Sequence, residues 1–80
     1  MNANDLAAAT AVLRRHEAAV MSIPGVYAMG VGSAADHGGA DAPCIVVHVT
    51  RDVAPGSVPA SLEGIPVFVL VGEPPRLQSL

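Results

Sequence analysis

The residues best suited to chemistry lie in a glycine-rich stretch near the middle of the chain and just after it. Asp36, His37 and Asp41 carry metal-ligand groups, and Cys44 and His48 follow on the next predicted strand. A zinc site usually takes four ligands in closely spaced pairs such as C-x₂₋₄-C. The chain has one cysteine and no such pair, so a solvated loop shaped by Asp and Gly is the better interpretation. His37, Cys44 and His48 remain candidate metal ligands, and no cofactor is predicted.

Cys44 and His48 are also residue types that can serve as a nucleophile and a general base. Four residues apart on one strand, they share a face but lie about 13 Å apart along it. That separation is too large for the direct hydrogen bond that activates a nucleophile. No Ser–His–Asp set follows from the spacing, and His16 and His48 are expected to be partly buried with polar partners. The sequence therefore predicts no enzyme.

Gly30-Val31-Gly32 invites comparison with a dinucleotide-binding loop. Such a loop needs three spaced glycines at a strand end, followed directly by a helix. Here a long loop and another strand follow. Small residues that allow close packing on a sheet face are the better interpretation.

Apolar periodicity and turn residues predict the elements that carry these side chains. Asn2 or Asn4 can cap a first helix, and Pro24 with Gly25 ends it. Its apolar face is expected to comprise Leu6, Ala9, Leu13 and Val20. The predicted elements are a helix at about 4–22, strands at about 26–32, 44–50 and 65–71, a polar loop at 33–43, a short helix at 57–62 and a tail at 73–80.

This order predicts a single α+β domain over residues 1–80, built as a small two-layer sandwich of one main helix on a three-stranded sheet. It resembles a ferredoxin-like βαββαβ fold that lacks its first strand. The first two strands form a long-loop antiparallel hairpin. A crossover through the short helix makes the third strand parallel to the second. We expect the strand order second, first, third, with Tyr27, Met29 and Val31 on one face of the first strand.

Two strands, 44–50 and 65–71, are apolar on both faces and therefore need a cover on each side. The first helix can cover Ile45, Val47 and Val49 together with Val67, Val69 and Val71. The opposite face is predicted to be an interface buried in a homodimer or higher oligomer. The predicted interface residues are Ala28, Gly30, Val46, His48, Phe68 and Leu70. The alternative is that the short helix and the tail fold over this face.

Composition narrows the class of protein. Hydrophobic residues make up 51% and charged residues 14% of the 80, which excludes ordinary disorder. The net charge is −3, and aromatic residues are limited to Tyr27 and Phe68, so nucleic-acid binding is not expected. No apolar run reaches the roughly 18–20 residues of a membrane span. We expect a cytoplasmic protein, and the Ala, Gly and Arg usage hints at a GC-rich bacterial source.

Four strings carry a family resemblance: Ile23-Pro24-Gly25-Val26, Gly30-Val31-Gly32, Ile45-Val46-Val47-His48-Val49 and the VPxxLEGxPV pattern of 58–67. Over about residues 16–72 the chain resembles a small α/β module of uncharacterised bacterial proteins, which occurs alone or near trypsin-like peptidase domains. These motifs specify turns and packing. The resemblance implies a small domain that could be accessory to a peptidase and has no catalytic set of its own.

Three functional hypotheses follow. The first is a non-enzymatic, self-assembling module that acts through protein contacts. The second is a small-ligand or metal-binding regulatory domain that uses the glycine-rich loop. The third is an inhibitor or accessory domain of a peptidase.

Overall fold

The computed structural model describes residues 2–74. The elements are helix α1 (Ala3–Met21), strand β1 (Val26–Ser33), the 3₁₀ helix η1 (Ala34–His37), β2 (Pro43–Val49), β3 (Ser61–Leu62) and β4 (Ile65–Val71). One helix packs on a four-stranded mixed sheet, which confirms the α+β class and the two-layer arrangement. The predicted number of three strands is wrong, because β3 adds a fourth. The predicted tail lies outside the described residues from residue 75 onward.

Helix α1 begins where the sequence predicts. The Asn2 side chain accepts a hydrogen bond from the Asp5 backbone N–H at 2.9 Å, and the Asp5 carboxylate caps the Asn2 N–H in return. Ala9, Leu13 and Val20 are buried on the sheet, and Val12 joins them. Leu6 is 41% exposed, so its predicted place in the core is wrong. A helix of 19 residues is about 28 Å long, longer than a seven-residue strand, and Leu6 lies near its N-terminal end.

The sheet order is β1-β2-β4-β3, so the predicted order with the first strand in the middle is wrong. The antiparallel β1–β2 hairpin and the parallel β2–β4 pair are both confirmed. Strand β2 holds the centre because Ile45 and Val47 are fully buried on one face while Cys44 and Val46 are buried on the other. The glycine-containing strand β1 takes the edge.

A β-bulge in β1 corrects the predicted faces of that strand. Val26 pairs with Val49 and Ala28 pairs with His48, which leaves Tyr27 as the extra residue. Val26 packs on the helix-side core, whereas the Tyr27 ring lies near His48. Tyr27 therefore does not share a face with Met29 and Val31.

The predicted short helix at 57–62 is absent from the described chain. The segment turns at Ala54–Ser57 and then runs to β3, which forms a tight hairpin with β4. Six residues are too few to offset helix nucleation, and the extended path lets Val58 and Leu62 reach the core. The third predicted strand is β4, and its predicted bounds are confirmed.

Candidate interaction surface

The sheet face opposite α1, here called the second face, is covered at one end by the chain itself. The loop after β1, predicted as solvated, contains η1, which folds back onto the sheet. Ala34 is buried against Cys44 and Val46, and Phe68 packs on this cluster. The His37 ring stacks on the Phe68 ring, with centroids 4.9 Å apart and planes 19° apart. Val46 is thus buried within one chain.

The other end of the second face is more open. The Tyr27 and His48 rings lie 6.1 Å apart, and the Tyr27 hydroxyl donates to the Glu73 carbonyl at 3.2 Å. Among the described residues no atom comes within 4 Å of a Cβ built on Gly30, so the close packing predicted there is not seen. Leu70 is 38% exposed on this part of the face.

The C-terminal half of β4 is the most exposed apolar segment of the described sheet. Val69 is 43% exposed and Val71 is 67% exposed, so the predicted packing of both under α1 is wrong. Val67 alone of the three valines packs on the helix-side core. Helix α1 lies over β1 and β2 and reaches β3, which leaves the end of β4 without a cover on the helix side.

The outer edge of β4 is also open beyond Val67. Strand β3 pairs only with Ile65 and Pro66, and the Val67 N–H donates to the Ala60 carbonyl at 3.0 Å. On its other side, β4 pairs with β2 from Val67 to Val71. Backbone groups of successive strand residues point to alternate edges, so those of Val69 and Val71 point outward with Val67. Within residues 2–74, no strand pairs with these outward groups.

The three candidate metal ligands, His37, Cys44 and His48, lie along the second face without coming together. Cys44 is fully buried, and this burial raises the pKa of its thiol. His37 stacks on Phe68, and His48 lies beside Tyr27. Over the described chain, no three His, Cys, Asp or Glu side chains come together as a metal site requires.

A polar cluster ties α1 to the β3–β4 turn. Arg15 forms a two-point ion pair with the Glu63 carboxylate at 2.8 and 2.9 Å, and His16 Nε2 lies 2.9 Å from the same carboxylate. The hydrogen bond from Arg15, with that from His16, lowers the pKa of Glu63 to about 2. His16 is partly buried with a polar partner, as predicted. The cluster is exposed, and its contacts connect α1 to the β3–β4 turn.

A small depression of about 230 Å³ lies at the carboxyl ends of β2 and β4. Thr50, Arg51, Asp52, Gly72, Glu73 and Pro74 line it. Pockets that bind small molecules are usually about 300–1,000 Å³ and mostly apolar. The depression therefore does not have the character of a small-molecule site.

Comparisons of the chain with family models, with curated proteins and with solved structures found no match. None of the helices in residues 2–74 combines the length and apolarity needed to cross a membrane.

The sequence does not predict the uncovered edge, because the position of α1 relative to the third strand does not follow from the local pattern. The predicted strand order, although wrong, also places that strand at an edge of the sheet. The available signal was the run 65–72, which is apolar with no charged residue. Charged residues commonly protect edge strands, so their absence from a run this long was informative.

Proposed function

We propose that this chain is a non-enzymatic module that works through protein contacts and associates with itself. The carrying observation is the C-terminal half of β4, where Val69, Leu70 and Val71 are all exposed at an open sheet edge. An apolar strand edge is a template for pairing with another chain. Contiguous exposed apolar surface of this kind is typical of interaction sites.

The charge pattern supports the same proposal. Soluble proteins usually protect an edge with lysine, with inward-pointing charge or with a bulge. The bulge of this sheet lies in β1, the opposite edge. In β4, Pro66 restricts only the N-terminal end, where β3 already pairs. Residues 67–72 have no such protection.

The predicted interface contributes in part. Leu70 lies on the open end of the second face at β4, and His48 lies beside it on the neighbouring strand β2. Val46 and Phe68 are packed by η1 in the same chain, so a flat face-to-face dimer would first have to displace η1. The proposal therefore centres on β4, with Leu70 as the residue shared by both surfaces. A cytoplasmic setting, where a lone thiol stays reduced, is part of the proposal.

Sedimentation of wild type and of Val71→Lys tests the proposal. An interface as small as this edge is expected to be weak. Sedimentation should therefore be measured at protein concentrations from about 20 μM to about 1 mM. The average molecular mass of wild type should rise with protein concentration. Val71→Lys should stay monomeric, because strand pairing would remove its ammonium group from water. Leu6→Lys is the matched control, since Leu6 is similarly exposed but lies on α1.

The control should associate like wild type. Wild type that remains monomeric at about 1 mM would overturn the proposal. Equal loss of association in both lysine variants would also count against it, because the effect would then reflect general charge and not the β4 edge.

A further inference from the structure

The geometry of β4 points to a specific partner and register. We infer that the partner is a second copy of this chain, and that two β4 strands pair antiparallel about a two-fold axis at Leu70. The inference rests on the proposed function and adds the orientation of the two copies and the register in which their β4 strands pair. It would join two sheets into one, with both α1 helices on the same side.

Residues 72–74 leave β4 in a direction away from its outer edge. The Gly72 N–H donates to the Val49 carbonyl at 2.9 Å, which directs the backbone toward β2. The Glu73 carbonyl then accepts from the Tyr27 hydroxyl, which belongs to β1. After Val71 the described chain therefore crosses the end of the sheet away from the outer edge of β4.

The outward backbone groups fix the register. In an antiparallel pair, residues whose N–H and C=O both face the partner exchange two hydrogen bonds. If Val69 of each copy faces Val71 of the other, four such bonds form, and Leu70 faces Leu70 on the axis. A shift that places Val67 opposite Val71 fails because the Val67 N–H is already bonded to Ala60. The opposite shift would use Glu73, whose carbonyl is bonded to Tyr27.

The side chains agree with this register on both faces. On the helix side, Val69 of one copy lies beside Val71 of the other, and aliphatic β-branched pairs of this kind stabilise strand pairing. On the second face the two Leu70 side chains meet. Phe68 lies opposite Gly72 of the other copy, so its ring meets no opposing side chain. No like charges oppose each other, because residues 65–72 carry none.

The contact area sets the expected strength. Five paired residues span about 17 Å of an edge about 10 Å thick, well short of the roughly 800 Å² per partner of a standard stable interface. The dimer is therefore expected to be weak and reversible, with a dissociation constant in the micromolar to millimolar range.

Disulfide trapping tests the register. Leu70→Cys places a cysteine on the axis, at a non-hydrogen-bonded pair whose Cα atoms lie about 4.5 Å apart, within disulfide range. Val71→Cys is the matched control, since its two copies would be about 8–9 Å apart, beyond the limit of about 7 Å. Under mild oxidation with diamide, Leu70→Cys should form a covalent dimer at least about tenfold faster than Val71→Cys. Wild type controls for Cys44, which is fully buried.

A mixture supplies an independent check. Val69→Cys and Val71→Cys together should give more cross-linked heterodimer than either gives homodimer, because the register places these positions opposite each other. Association in sedimentation without preferential Leu70→Cys cross-linking would overturn the register and leave self-association standing. Absence of both association and cross-linking would overturn both.

Discussion

Glu63 combines an unfavourable backbone conformation with a favourable side-chain environment. Its φ is +50° and that of Gly64 is +84°, so the two-residue turn between β3 and β4 is left-handed at both positions. Asn-Gly is the usual solution for such a turn, and glutamate is uncommon there. The contacts of Glu63 with Arg15 and His16 explain the choice, because they connect the β hairpin to α1.

The lowered pKa of Glu63 gives a pH dependence with a defined sign. Its carboxyl pKa falls from an ordinary 4.5 to about 2 on folding, so the contribution to stability is present above about pH 4.5 and is lost as the pH falls toward 2. At pH 7, Glu63→Gln should have a lower free energy of unfolding than wild type. At pH 2 the difference between the two proteins should be small, because most of the stabilisation by the ionised Glu63 carboxylate of wild type is then lost. Urea denaturation at several pH values measures this. A stability deficit of Glu63→Gln that persists unchanged at pH 2 would contradict the ion-pair explanation.

Gly25 is a position where the backbone excludes any side chain. Its φ is +96°, and an added Cβ would lie 2.8 Å from the Cα of Val53 and 2.9 Å from its backbone nitrogen. Gly56 has a similar φ of +76° with open space around it in the described chain. Gly56→Ala should cost about 1–2 kcal/mol, and Gly25→Ala at least about 1 kcal/mol more because the backbone contact must also be relieved. Equal losses of unfolding free energy would show that Val53 does not restrict the site.

At the scale of elements, η1 is a cover for the sheet within a stretch that the sequence predicts to be a solvated loop. The stretch 33–43 has the Asp and Gly content of such a loop, and no periodic apolar pattern signals its 3₁₀ turn. Two small contacts fold it back: Ala34 enters the Cys44 cluster, and His37 stacks on Phe68. Such contacts depend on which strand neighbours β2, which the local pattern does not specify.

His37→Ala should loosen η1 without unfolding the domain. Loss of the ring contact is worth about 0.5–1.5 kcal/mol, and Cys44 beneath η1 becomes accessible only through local opening. Cys44 should therefore react with a thiol reagent roughly three- to tenfold faster in this variant. His16→Ala is the control, because His16 contacts Glu63 on the other side of the sheet. Unchanged Cys44 labelling in His37→Ala would mean that η1 is not held by the ring stack.

Elements with strong local signals were predictable, and their arrangement was not. The cap at Asn2, the hairpin of β1 and β2 and the bounds of β4 follow from turn residues and apolar runs. The position of β2 at the centre required knowing that both of its faces would be buried in one chain. The run 65–71 looked equally buried, yet half of it is exposed. Apolar pattern alone therefore could not separate burial within a chain from burial between chains.

At the scale of the whole molecule, residues 2–74 form a sheet with a covered centre, a bulged edge at β1 and an open apolar edge at β4. Helix α1 covers β1 and β2 on one side, and η1 covers part of the other. Association through the open edge of β4 would bury Val69, Leu70 and Val71, which are exposed in the single chain. It would do so without displacing any element of the fold. Self-association through this edge is the central claim.

Amide hydrogen exchange measured by NMR at about 20 μM and about 1 mM tests that claim most directly. The N–H groups of Phe68 and Leu70 point toward β2 and should be protected equally at both concentrations. Those of Val69 and Val71 point outward. Their exchange should therefore slow as the protein concentration rises and the paired dimer becomes populated. Exchange at Val69 and Val71 that does not depend on concentration, whether fast or slow, would contradict pairing between copies at the β4 edge.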